Sequence, residues 1–139
     1  MEKREQKFCT QLGKWWDNIG YKKFDYNINI EAKVSVGTKS LNFKGGFKPH
    51  QIPTMIKYNN NPMHWKISDI DTLSTKHYDM SCTNPRYIRG VIAMMWIRPG
   101  NKKFYIIFPE DLDRLISTGI KSLDEGMANV IAYLVDEVK

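Results

Sequence analysis

The chain has 139 residues, 42% of them hydrophobic and 12% aromatic, which predicts a single domain over 1–139 with its own core and excludes a disordered tail. No apolar run approaches the ~20 residues of a membrane span, and two cysteines make no disulfide framework, so a cytoplasmic protein without membrane contact is expected. The net charge of +6 is uneven: residues 32–109 carry 12 bases and 3 acids, residues 110–139 carry 3 bases and 7 acids, and no acid falls between Ala32 and Ser68.

In chain order, Phe8, Leu12, Trp15 and Trp16 fall near helical spacing and predict a helix over 3–17 that Gly20 ends. Tyr26, Ile28, Ile30, Ala32, Val34 and Val36 alternate with polar residues and predict a strand with one face in the core. Gly37 to Lys48 reads as a Gly/Lys-rich loop, and Pro49 opens a short helix to about Tyr58 that the Asn59-Asn60-Asn61-Pro62 run stops. Short strands are expected over His64–Ser68 and His77–Cys82, with a polar loop over Asp69–Thr75 between them. The apolar run over 87–97 suits a central strand covered on both faces. Pro99-Gly100-Asn101 turns it back into a strand over Phe104–Phe108, and Pro109 starts a helix to about Ile116. Ser122-Leu123-Asp124-Glu125 matches a capping box for a final helix, with a stripe of Leu123, Met127, Val130, Ile131, Leu134 and Val138. This order predicts an α/β or α+β domain with a mixed sheet.

The chemistry-bearing candidate is Glu31-Ala32-Lys33 on the polar face of the first strand. Residues two apart on a strand share a face, so the pair is either a solvated ion pair or a carboxylate and ammonium that hold a divalent cation and steady water or phosphate. Cation chemistry calls for a second carboxylate. Asp79 is the candidate, its carboxylate expected within roughly 4–6 Å of Glu31 if the two share one ion. Asp25, six residues upstream on a continuous strand, would sit roughly 20 Å away. Lys39, Lys44 and Lys48, with Gly45 and Gly46, suit phosphate contacts, and Arg86, Arg89, Lys102 and Lys103 extend the basic patch. Cys9, Cys82 and the three histidines lack zinc-ligand spacing.

Ile30-Glu31-Ala32-Lys33, then Lys39-Ser40-Leu41-Asn42-Phe43, then Pro49-His50-Gln51 at a helix start resemble the PD-(D/E)XK nuclease superfamily, and within it the RecU-type Holliday junction resolvases. Lys76-His77-Tyr78-Asp79 and Lys121-Ser122-Leu123-Asp124 extend the likeness to short phage and prophage relatives of that group. The resemblance implies a restriction-endonuclease-like mixed sheet flanked by helices and a Mg²⁺- or Mn²⁺-dependent endonuclease for branched DNA. It implies a homodimer working in a bacterial or phage-infected cell. It also implies Glu31, Asp79 and Glu5 as metal ligands, Lys33 and Gln51 beside them at the reacting phosphate, and a loop shaped by Pro49 and His50. The dimer interface is expected on the last helix's stripe or the first helix's tryptophans. One departure stands out: the superfamily's usual Asp lies upstream of the E-x-K strand, in a preceding hairpin strand, and here only Asp17 and Asp25 precede it. A non-catalytic binder of nucleic acid or protein on the same fold, such as an inhibitor of a host nucleoprotein, is the alternative.

Overall fold

The computed structural model describes residues 3–60, 63–68, 77–83 and 88–139, with backbone alone at 58, 63–68, 77–83 and 88. In chain order the elements are α1 (Lys3–Asn18), β1 (Asn27–Val36), β2 (Leu41–Asn42), α2 (Phe43–Gly46), α3 (Gln51–Asn60), β3 (Met63–Ser68), β4 (His77–Thr83), β5 (Ile88–Ile97), β6 (Lys103–Ile107), α4 (Pro109–Ser117), β7 (Ser122–Leu123), α5 (Glu125–Ile131) and β8 (Leu134–Glu137). A four-stranded mixed sheet runs in the order β1-β5-β6-β8. β1 and β5 are parallel, with Glu31 opposite Ile92 and Lys33 opposite Met94, while β6 and β8 add antiparallel. The fold is α+β, as composition and element order predict.

The sheet separates two cores, which is why β5 is apolar on both faces. Phe8, Leu12 and Trp15 of α1 pack on Val91, Ala93, Met95, Phe104 and Ile106. Ile92, Met94, Trp96, Tyr105 and Ile107 pack on the opposite side with Phe43, Phe47, Ile52, Leu112 and Ala128. α1 ends against Gly20, where an added Cβ would lie 2.6 Å from the Trp15 ring. β6 covers β5 only from Ile92 onward. Beyond that point Asn59 of α3 stands in for a strand: its Oδ1 accepts from Gly90 N–H at 2.7 Å and its Nδ2 donates to Gly90 C=O at 3.2 Å.

Three expectations need correction. The 37–48 segment is not simply a loop. β2 pairs antiparallel with β7, and Asn42 caps the single turn of α2 by accepting from Lys44 and Gly45 N–H. The capping box does not form either: Ser122 lies in β7, and Asp124 is the cap, accepting from Met127 N–H at 2.7 Å. The final helix is only seven residues long, and Leu134–Glu137 is a strand along β6. The helical stripe fails because the backbone edge of β6 needs partners, and Leu134, Asp136 and Val138 supply an inward face at period two. Val130, a member of that stripe, is 82% exposed. The predicted loop over Asp69–Thr75 lies outside the described residues.

Candidate active site

Glu31 and Lys33 project from β1 on the same face as Ile92, Met94 and Trp96, as their register with β5 requires. Lys33 Nζ is 3.6 Å from Glu31 Oε1, with the lysine side chain only 13% exposed and the glutamate 39%. Nζ also lies 5.1 Å from the centre of the Phe47 ring, a cation–π contact that sequence inspection missed. The sequence showed only that Phe43 and Phe47 are the two aromatics within the Gly/Lys-rich segment.

The same Phe47 ring lines a groove of about 780 Å³. Phe43, Ile52 and Ile120 line it with Phe47, and the lining includes Lys44, Lys48 and Lys121 against the single acid Asp113. Two of the sequence-predicted phosphate contacts, Lys44 and Lys48, thus join one groove with Lys121, which the sequence singled out only within the Lys121-Ser122-Leu123-Asp124 motif and not as a phosphate contact. Lys39 side chain is exposed. Its backbone carbonyl accepts from Ser35 Oγ at 2.5 Å and from Trp96 Nε1–H at 2.9 Å, which pins the basic segment to the ends of β1 and β5.

The remaining candidates scatter. Glu5 lies on α1, the helix that packs on the opposite face of the sheet, and it and Glu31 both raise the Cys9 thiol pKa, after burial as the larger cause. Gln51 Oε1 accepts from Lys48 N–H at 3.3 Å, a bond that tightens the start of α3. Arg89 is committed elsewhere, 3.5 Å from Glu110 and stacked 4.1 Å from the Phe108 ring. Asp79 sits in β4, opposite Ile67 of β3, in a two-stranded ribbon separate from the main sheet. Its side chain, and Arg86 altogether, lie outside the described residues. Of the two tryptophans offered for a dimer surface, Trp15 is 5% exposed in the core and Trp16 is half-buried beside it, and the stripe offered as the other surface is split between α5 and β8.

Among the described residues β1 is the outermost strand, so no upstream hairpin strand stands beside it to deliver an Asp. No group of three or more His, Cys, Asp or Glu side chains able to hold a metal occurs among the described residues. Magnesium commonly binds through one or two carboxylates, several waters and the substrate's own phosphate. Glu31 supplies one carboxylate of that sparse donor set, on the face of the sheet opposite α1. No described helix is long and apolar enough to cross a membrane. Comparison with protein-family models, curated proteins and solved structures returned no match.

Proposed function

We propose that the chain is a metal-dependent DNA endonuclease acting on branched DNA. The observation that carries this reading is the position of Lys33: 3.6 Å from the Glu31 carboxylate and 5.1 Å from the Phe47 ring, whose other surroundings form the lysine-lined groove. A phosphodiester held by Lys44, Lys48 and Lys121 would lead its backbone toward a carboxylate and a largely buried ammonium. Glu31 would hold the cation, and Asp79 and Glu5 are the further acids proposed to join it. Bound Mg²⁺ or Mn²⁺ supplies charge neutralisation at the phosphate and a more acidic water. Lys33 offsets the negative charge that grows on the phosphoryl oxygens and orients the attacking water. Gln51 is the proposed polar contact to that water or phosphate, by release of its bond to Lys48.

The test is incubation with a synthetic four-way junction, a linear duplex and single-stranded DNA, in Mg²⁺ and in EDTA. Metal-dependent nicks confined to the junction are expected, with Glu31→Ala reducing cleavage at least ~100-fold while junction binding persists. Glu31→Ala cutting as well as wild type sinks the assignment. The second reading, a non-catalytic binder on a nuclease-like fold, draws on one observation: β1 has no strand beside it, among the described residues, to carry the superfamily's usual Asp. Junction binding with no cleavage in Mg²⁺ or Mn²⁺ selects it.

A further inference from the structure

We propose that β1 is a self-association edge on which a second copy of the chain pairs antiparallel, with Ala32 opposite Ala32. The ten residues of β1 form an outermost strand with no proline, no glycine and an unbroken register along β5. Natural sheets shorten, bulge or charge such edges to prevent pairing. β1 has none of the first two devices, and its charges are arranged to permit pairing.

The backbone parity fixes which groups face outward. Gly37 N–H donates to Ile97 C=O at 2.7 Å, continuing a ladder in which the odd-numbered residues of β1 bond to β5. Gly90 agrees, turning its N–H and C=O to Asn59 on the other edge of β5. The N–H and C=O groups of Ile28, Ile30, Ala32 and Val34 therefore point off the sheet, and among the described residues no strand pairs with them. In an antiparallel pair, outward residues form the hydrogen-bonded pairs and the residues between them bring their side chains closest.

Charge then selects the register. A two-fold centred on residue 31 sets Glu31 against Glu31, and one centred on 33 sets Lys33 against Lys33, both destabilising. Centred on Ala32, the pairing sets Glu31 of each copy against Lys33 of the other, in the close non-hydrogen-bonded positions. The same register stacks Ile30 on Val34 and Ile28 on Val36 along the opposite face. That face needs cover: a cavity of about 320 Å³ lies between α1 and β1, lined by Cys9, Leu12, Trp16, Ile28 and Ile30, and Val36 is 50% exposed. Self-complementary charge favours a second copy over an unrelated strand.

The interface stands apart from the nuclease reading, although both use Glu31 and Lys33. Sedimentation velocity of the full chain reads mass rather than cleavage. A monomer that cuts DNA overturns only the interface, and a dimer that cuts nothing overturns only the nuclease. Wild type is expected to dimerise across the micromolar range. Glu31→Lys and Lys33→Glu should each self-associate at least about tenfold more weakly, since two attractive pairs become repulsive. A one-to-one mixture of the two variants should dimerise again, because each supplies the other's missing charge. Should a variant fail to fold by circular dichroism, wild-type hydrogen exchange decides. The Ile30, Ala32 and Val34 amides should gain protection as concentration rises, with Glu31 and Lys33 protected throughout. A wild-type monomer at all concentrations, single variants that dimerise normally, a mixture that stays monomeric, or no concentration-dependent protection overturns the proposal.

Discussion

Asp136 Oδ2 accepts from Trp15 Nε1–H at 2.9 Å, joining the last strand to the first helix across 121 residues. Trp15 is buried edge-on against Phe104, so its N–H has little access to water. Asp136→Ala should lose about 1–3 kcal/mol in urea denaturation, the cost of a buried donor left without an acceptor, and Asp136→Asn less because an amide oxygen remains. A second polar set lies on the opposite face. Glu125 Oε2 accepts from Tyr105 Oη at 2.8 Å, and Glu125 Oε1 lies 2.9 Å from Arg98. Arg98's hydrogen bond is the main force holding the Glu125 carboxyl below its ordinary value, and burial is the main force pushing Tyr105 up to about 12, with Glu125 adding to it. The Glu125 contribution to stability is therefore present above pH 4.5 and is lost as pH falls through its lower folded value. The Tyr105 contribution is full below its ordinary 10.0 and is lost as pH rises toward about 12. Thermal melts across that alkaline window should fall for wild type and stay flatter for Tyr105→Phe; parallel curves would exclude this origin. Neither set was legible in sequence, because partners separated by 20 or more residues carry no spacing signal. Glu31 and Lys33 were legible because two residues on one strand need no tertiary information to share a face.

At the scale of elements, the parts with unambiguous periods were readable: α1, β1, β5 and β6 fall within a residue or two of their expected bounds. The tail was misread because Leu123, Met127, Ile131, Leu134 and Val138 fit a helical period, whereas the rival strand alternation is broken by Asp136. That break is repaired only by Trp15, which no local pattern reveals. Glycine offers a sharper test of how α1 is held. Gly13 sits mid-helix with nothing within 4 Å of an added Cβ, while a Cβ on Gly20 would enter the Trp15 ring. Gly13→Ala should stabilise by about 0.5–1 kcal/mol through helix propensity. Gly20→Ala should destabilise by about 1–3 kcal/mol, because Trp15 has no room to withdraw. Chemical denaturation of the two variants reads both signs, and equal effects would mean that the Trp15–Gly20 contact does not anchor the end of the helix.

Across the whole molecule, the acids of residues 110–139 are largely occupied with structural partners. Glu110 lies 3.5 Å from Arg89, Asp111 pairs with Arg114, Glu125 pairs with Arg98, Asp124 caps α5 and Asp136 holds Trp15. The acidic tail therefore neutralises Arg89 and Arg98 of the basic middle and leaves its groove lysines uncompensated. Among the described residues Lys44, Lys48 and Lys121 enter no ion pair and line a groove with one acid, Asp113. This distribution predicts where DNA should bind and how salt should act. Each phosphate neutralised releases condensed counterions, so the logarithm of the binding constant falls with the logarithm of salt, by about 0.9 per contact on duplex. Lys44→Ala, Lys48→Ala and Lys121→Ala should each weaken junction binding and reduce that slope by about one unit. Lys14→Ala is the control: this residue is exposed on α1, the helix that packs on the other face of the sheet. Fluorescence anisotropy titrations at several salt concentrations measure all four slopes. Unchanged slopes for the groove lysines with a reduced slope for Lys14→Ala would move the DNA to the α1 face and separate it from Glu31 and Lys33. The expected pattern keeps phosphate on the side of the sheet where the carboxylate–lysine pair and Phe47 meet.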